Sequence, residues 1–150
     1  MLTLDIYLCG VVVALLMLVK TAISDIRTRQ VRHRDLLCLT VALLFLWSKT
    51  PNLQILPYTL VILCIGFLLH IFRVLGAGDT KLLCVISLGV SPQYLSLFLY
   101  GTVLAGGVFA VLYLIYGFLT DTAKIHSRGV PYAVPIAVIG GPMILLTYIS

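Results

Sequence analysis

A chain of 150 residues that is 61% hydrophobic and only 10% charged, with mean hydropathy +1.16, is not composed like a soluble domain, in which about 25% of residues are charged. Its net charge of +5 points to orientation in a bilayer and away from nucleic-acid binding. Glutamate is absent, so five aspartates (Asp5, Asp25, Asp35, Asp79 and Asp121) carry all of the acidity. Cys9, Cys38, Cys64 and Cys84 form no Cys-x-x-Cys pair, and His33, His70 and His126 do not cluster. Buried free thiols are therefore expected, and no metal site or other cofactor.

Leu4 to Ile23 is a first apolar run of about 20 residues, enough to cross ~30 Å of hydrocarbon. Ala22 and Ser24 mimic a signal-peptide cleavage site. No positive charge precedes the run, however, and the basic cluster follows it, so a retained helix is expected. Lys20 lies one turn from its end, where it can snorkel to the interface. Ser24 to Asp35 holds four arginines, which read either as a topogenic loop neutralising Asp25 and Asp35 or as part of a site. Leu36 to Trp47 is short for a span, so the second helix extends back into this polar segment, and Trp47 falls in the interfacial belt.

Lys49-Thr50-Pro51-Asn52 reads as a turn. Leu53 to Phe72 is the third run, with Pro57 in its first turn and His70 near its far end as a packed, hydrogen-bonded residue. Gly76-Ala77-Gly78-Asp79 follows, its glycines leaving the backbone free to depart from helical geometry or approach another chain closely. Asp79 reads equally as the N-cap of the next helix and as an ionisable group at the membrane edge, a functional candidate by default. Leu82 to Val90 is a short fourth span, closed by Ser91-Pro92. Gln93 to Leu119 is the fifth; Gly101, Ala105, Gly106, Gly107 and Ala110 give it close-packing faces. Asp121 to Gly129 is polar, and Val130 to Ile149 is the sixth span, with no internal repeat.

The expected architecture is an all-α integral membrane protein of about six transmembrane helices in one domain, residues 1–150. Loops after spans one, three and five carry Arg27, Arg29, Arg32, Arg34, Arg73, Lys81, Lys124 and Arg128, whereas the opposite side carries only Lys49. The asymmetry puts the basic loops in the cytoplasm and both termini outside. Four aspartates then share the cytoplasmic face. Asp25 pairs best with Asp79 because it directly ends an apolar helix, while Asp35 and Asp121 sit among polar and basic residues as solvated salt bridges. Two carboxylates held together cannot both ionise easily, so the pair supplies a base and an acid at once. The base can activate water against a peptide carbonyl while the acid protonates its oxygen, without metal or covalent intermediate.

Gly76-Ala77-Gly78-Asp79-Thr80-Lys81-Leu82-Leu83 resembles the Gly-x-Gly-Asp-x-Lys-Leu signature of type IV prepilin peptidases, the bacterial GxGD membrane aspartic proteases. Ser24-Asp25-Ile26-Arg27 resembles the family's first motif, an aspartate followed by a basic loop, and Val130-Pro131-Tyr132-Ala133-Val134-Pro135-Ile136-Ala137 resembles its late Pro-[Phe/Tyr]-x-x-x-x-Ala segment. The resemblance implies a GxGD-protease-like helical bundle that cleaves the leader of prepilin or pseudopilin precursors at the cytoplasmic face of the bacterial inner membrane. Its partners would be those precursors, the lipid bilayer and pilus-assembly machinery. Asp25 and Asp79 would be the catalytic pair, Gly76, Gly78 and Lys81 the active-site loop, and Pro131, Tyr132 and Pro135 a substrate-side segment.

Where family members usually carry Ile-Pro-Asn, this chain reads Val31-Arg32-His33, which alters the local turn and leaves the carboxylate untouched. No Cys-x-x-Cys methylation domain is matched, so the chain looks like the short, peptidase-only form similar to those serving Flp (tight-adherence) pili. Two other classes are weighed beside it. A proton-coupled transporter would use the same acids as relays, and a non-catalytic pilus-assembly factor would tolerate their loss.

Overall fold

The computed structural model describes residues 2–28, 31–48, 51–72, 75–120 and 131–149. They form six helices: α1 (Leu2–Thr28), α2 (His33–Trp47), α3 (Ile55–Ile71), α4 (Ala77–Gly89), α5 (Pro92–Thr120) and α6 (Ala133–Ile149). The helix bounds follow the apolar runs closely, and α2 does begin in the polar segment. Asp121, Lys124, His126, Arg128, Arg73, Arg29 and Lys49, on which part of the charge argument rests, lie outside the described residues.

Each helix buries a stripe set by its own periodicity. On α1 the buried positions Val11, Ala14, Leu18, Thr21 and Asp25 recur at alternating steps of three and four, one face of an α-helix. Leu36, Leu39, Leu43 and Leu46 do the same on α2, Leu82, Ile86 and Gly89 on α4, and Ala133, Ile136, Gly140 and Met143 on α6. α1 packs on α2, α2 on α4, α4 on α6, and α6 on α1, which closes a ring of four helices around the core. Gly89 lets α4 meet Leu43, since a Cβ there would lie 2.6 Å from Leu43 Cδ2, and Gly140 seats Ile86 in the same way. α3 leans on α4 and α5 on α6.

Two stretches, Leu8–Thr28 and Pro92–Gly117, are long and apolar enough to cross a membrane, yet only 28% and 11% of them is buried within the protein. They are therefore not the core helices of a soluble fold. Their outward side chains include Leu16, Val19 and Ile23 on α1 and Val103, Leu104 and Val108 on α5, all exposed. An apolar outer surface this broad fits a membrane protein. The cysteines differ from expectation. They are free, but Cys9, Cys38 and Cys64 are exposed on the outer faces of their helices and only Cys84 is half-buried.

Asp35 also departs from the solvated role expected of it. It lies in the first turn of α2, is 5% exposed, and accepts a 2.6 Å ion pair from Lys20 Nζ of α1. The position is in phase with Leu39, Leu43 and Leu46, so the helix period carries the carboxylate inward, and Lys20 turns to it rather than to the interface. Asp35 is buried but the Lys20 side chain is 58% exposed, so water screens the pair, and stranding the Asp35 charge costs about 1–2 kcal/mol. Lys20→Met should therefore lower the stability of the detergent-solubilised chain by about that much, and Lys20→Met/Asp35→Leu should recover most of it, both read from thermal unfolding.

Candidate active site

At one end of the ring, α1 finishes while α2, α4 and α6 begin. A cavity of about 480 Å³ opens there, within the range of ligand sites. Asp25 of α1 and Asp79 of α4 both line it, from helices that face each other across the ring. Val31, Arg32, His33 and Leu36 form one wall, and Gly76, Ala77, Gly78 and Lys81 the other.

Asp25 is buried, 6% exposed, because it continues the inward stripe of α1 beyond Thr21. Its Oδ2 accepts a hydrogen bond of 3.2 Å from the backbone N–H of Ala133, the first residue of α6. A helix start has N–H groups without partners within the helix. An aspartate from the far side of the sequence satisfies one of them here.

Asp79 is not the N-cap of α4. That position belongs to Gly76, with φ −70° and ψ 144°, and the helix begins at Ala77. Asp79 is thus third in the helix, where an acid can reach back to the backbone N–H of the cap. It accepts that bond from Gly76. Neither glycine has a positive φ, so their role is close approach rather than a special backbone conformation. A Cβ on Gly76 would lie 2.7 Å from Asp79 Oδ2, in the space the carboxylate needs. One on Gly78 would lie 3.1 Å from Cβ of Val31, which packs against the first turn of α4.

Burial, and then the charge of Asp25, push the Asp79 carboxyl up from its ordinary 3.8 to about 7, with the Gly76 hydrogen bond opposing them. One acid near neutrality beside one held by an N–H donor is the arrangement that separates two carboxylates into donor and acceptor. Lys81 lines the cavity as an exposed cation, and it makes no ion pair with Asp79 among the described residues. His70 stands away from the cavity, exposed, with Nδ1 3.2 Å from the carbonyl oxygen of Leu75.

Pro131, Tyr132 and Pro135 do not line the cavity. Tyr132 and Pro135 lie against Gly106 of α5, because the face of α6 that carries them turns to α5. The segment meets the candidate site through the backbone of Ala133 instead. Arg32, His33, Val31 and Leu36 line the cavity without having been read as site residues; the first three stood out only as a departure from the family's Ile-Pro-Asn. The signal for them was that departure and their closeness in sequence to Asp25.

Comparison with protein families matches residues 11–111, two thirds of the chain, to the type IV leader peptidase family. Comparison with curated proteins and with solved structures gives no match.

The folded chain holds a proton on Asp79 up to about pH 7, whereas the unfolded chain releases it near 3.8. Between these values the folded state binds the extra proton, so stability falls as pH rises through this window and levels off above it. Asp79→Asn should flatten that slope and melt higher than the wild type above neutrality. Melting temperatures in detergent across the window check this, and an equal slope in both proteins would assign the proton elsewhere.

Proposed function

The chain belongs to the type IV leader peptidase family, and on that premise we propose that it is a membrane-embedded aspartic endopeptidase that removes the leader of Flp-type prepilin-like precursors. The observation that carries this reading is the meeting of Asp25 and Asp79 in one cavity, with the charge of Asp25 felt by Asp79.

In the proposed mechanism Asp25 is the base. The N–H of Ala133 holds its Oδ2, which orients the carboxylate that accepts a proton from water. The water oxygen attacks the scissile carbonyl carbon as its proton passes to Asp25. Asp79, its carboxyl raised to about 7 and so still carrying a proton in part of the population at neutral pH, donates that proton to the carbonyl oxygen as the tetrahedral intermediate forms. As that intermediate collapses the C–N bond breaks, Asp25 gives its proton to the leaving amine, and a hydroxyl proton of the intermediate returns to Asp79, which restores the pair. The two carboxyls titrate as a coupled unit, so the activity profile belongs to the pair.

Residues 1–150 act in this reading as one peptidase domain with six spans and both termini outside. Arg32, His33 and Lys81 line the cavity, and the Lys/Arg excess of these loops supports a cytoplasmic side for it. In this reading the site lies at the cytoplasmic surface of the bacterial inner membrane, where a precursor would present its leader beside its own membrane helix.

The test is gel-shift processing of a co-expressed Flp-type pilin precursor. Asp25→Asn and Asp79→Asn should each abolish cleavage while membrane insertion persists, and Asp121→Asn should leave processing intact. Cleavage by either of the first two would move the non-catalytic assembly role to the front. In the same assay Gly76→Ala should lose more activity than Gly78→Ala. The first places a Cβ against the Asp79 carboxylate; the second asks Val31 to give by only a few tenths of an ångström.

A further inference from the structure

The α3–α4 hairpin is joined by two polar contacts, seven residues apart on each helix. The hydroxyls of Thr59 and Ser87 lie 3.2 Å apart, and Thr80 Oγ1 donates to the carbonyl oxygen of Gly66 at 3.3 Å. The second contact lies directly behind the candidate active site. Thr80 is buried and follows Asp79 in the chain. Its hydroxyl also reaches the carbonyl oxygen of Gly76 at 3.2 Å, so one hydroxyl hydrogen is shared between α3 and the cap of α4. Gly76 in turn gives its N–H to the Asp79 carboxylate. There is no slack in this arrangement, since a Cβ on Gly66 would overlap the Cγ2 methyl of Thr80.

We propose that Gly66 and Thr80 form a seat that fixes the first turn of α4, and that both are positioning residues for Asp79. The inference rests on the peptidase reading. α3 buries only Ile55, Ile62 and Gly66 and stands outside the four-helix ring, so it adds little to the core. Its contact at Gly66 is instead transmitted through Thr80 and Gly76 to a carboxylate that must stand opposite Asp25. Displacement of a catalytic group by about 1 Å lowers rates by as much as ~100-fold, so a seat of this kind matters to the rate even where it contributes little to stability.

The experiment uses the full chain, purified in detergent, cleaving a Flp-type pilin precursor, with kcat, KM, pH profile and melting temperature measured together. Gly66→Ala should lower kcat by about tenfold or more with KM little changed. Thr80→Ser keeps the hydroxyl and removes the methyl that the new Cβ strikes, so Gly66→Ala/Thr80→Ser should recover most of the lost rate. Thr80→Val keeps the shape and loses the hydrogen bonds; it should lower kcat and shift the alkaline limb of the pH profile, which a purely structural role would leave in place. Full activity of Gly66→Ala, a double variant as slow as the single one, or losses that track the folded fraction would overturn the proposal. If Gly66→Ala does not fold, the limb shift in Thr80→Val decides. Asp79→Asn in the same series separates the two levels: a cleaving Asp79→Asn ends the peptidase reading, whereas an inactive one beside a fully active Gly66→Ala ends only the seat.

Discussion

The bond from the Ala133 N–H to Asp25 Oδ2 is the constraint on which the candidate site depends. It ties the last turns of α1 to the first residue of α6 at the seam where the four-helix ring closes. It gives a buried helix start a partner for one of its N–H groups, which would be costly to leave unmet in an apolar surround. Asp25 also lines the cavity it shares with Asp79. Fold closure and site geometry are thus settled by one contact between residues far apart in sequence.

The acids are placed by the same rule that buries leucine. Asp25 follows Thr21 on the inward stripe of α1, and Asp35 precedes Leu39 on that of α2. Asp35 receives a lysine, which makes it a structural partner of α1. Asp25 and Asp79 receive backbone N–H groups and each other's field, which leaves them tense. Local rules are broken where a site is built and satisfied where a scaffold is built. The contrast between Asp35 and Asp79, both third in their helices, shows the two outcomes side by side.

Much of this was legible in the residues. The runs of apolar character marked all six helices, and the placement of Asp25 and Asp79 at one end followed from counting them. The Gly-Ala-Gly run read as a loop because glycine disfavours helix interiors. In a first turn that penalty is outweighed by the room the Asp79 carboxylate and Val31 require, which no local propensity records. Asp35 was misread for its charged neighbours, although its phase with Leu39 and Leu43 was visible. Which way Tyr132 and Pro135 face depends on α5 covering that side of α6, and a single helical stretch does not carry that information.

Three helices of the ring start at the cavity and one ends there. Each helix start presents roughly half a positive charge and each end roughly half a negative one. The backbone alone therefore brings a surplus of about one positive charge to that end of the ring. One ionised carboxylate balances it and two do not. The count of helix ends already favours a pair of acids sharing a single negative charge, before any side chain around them is considered.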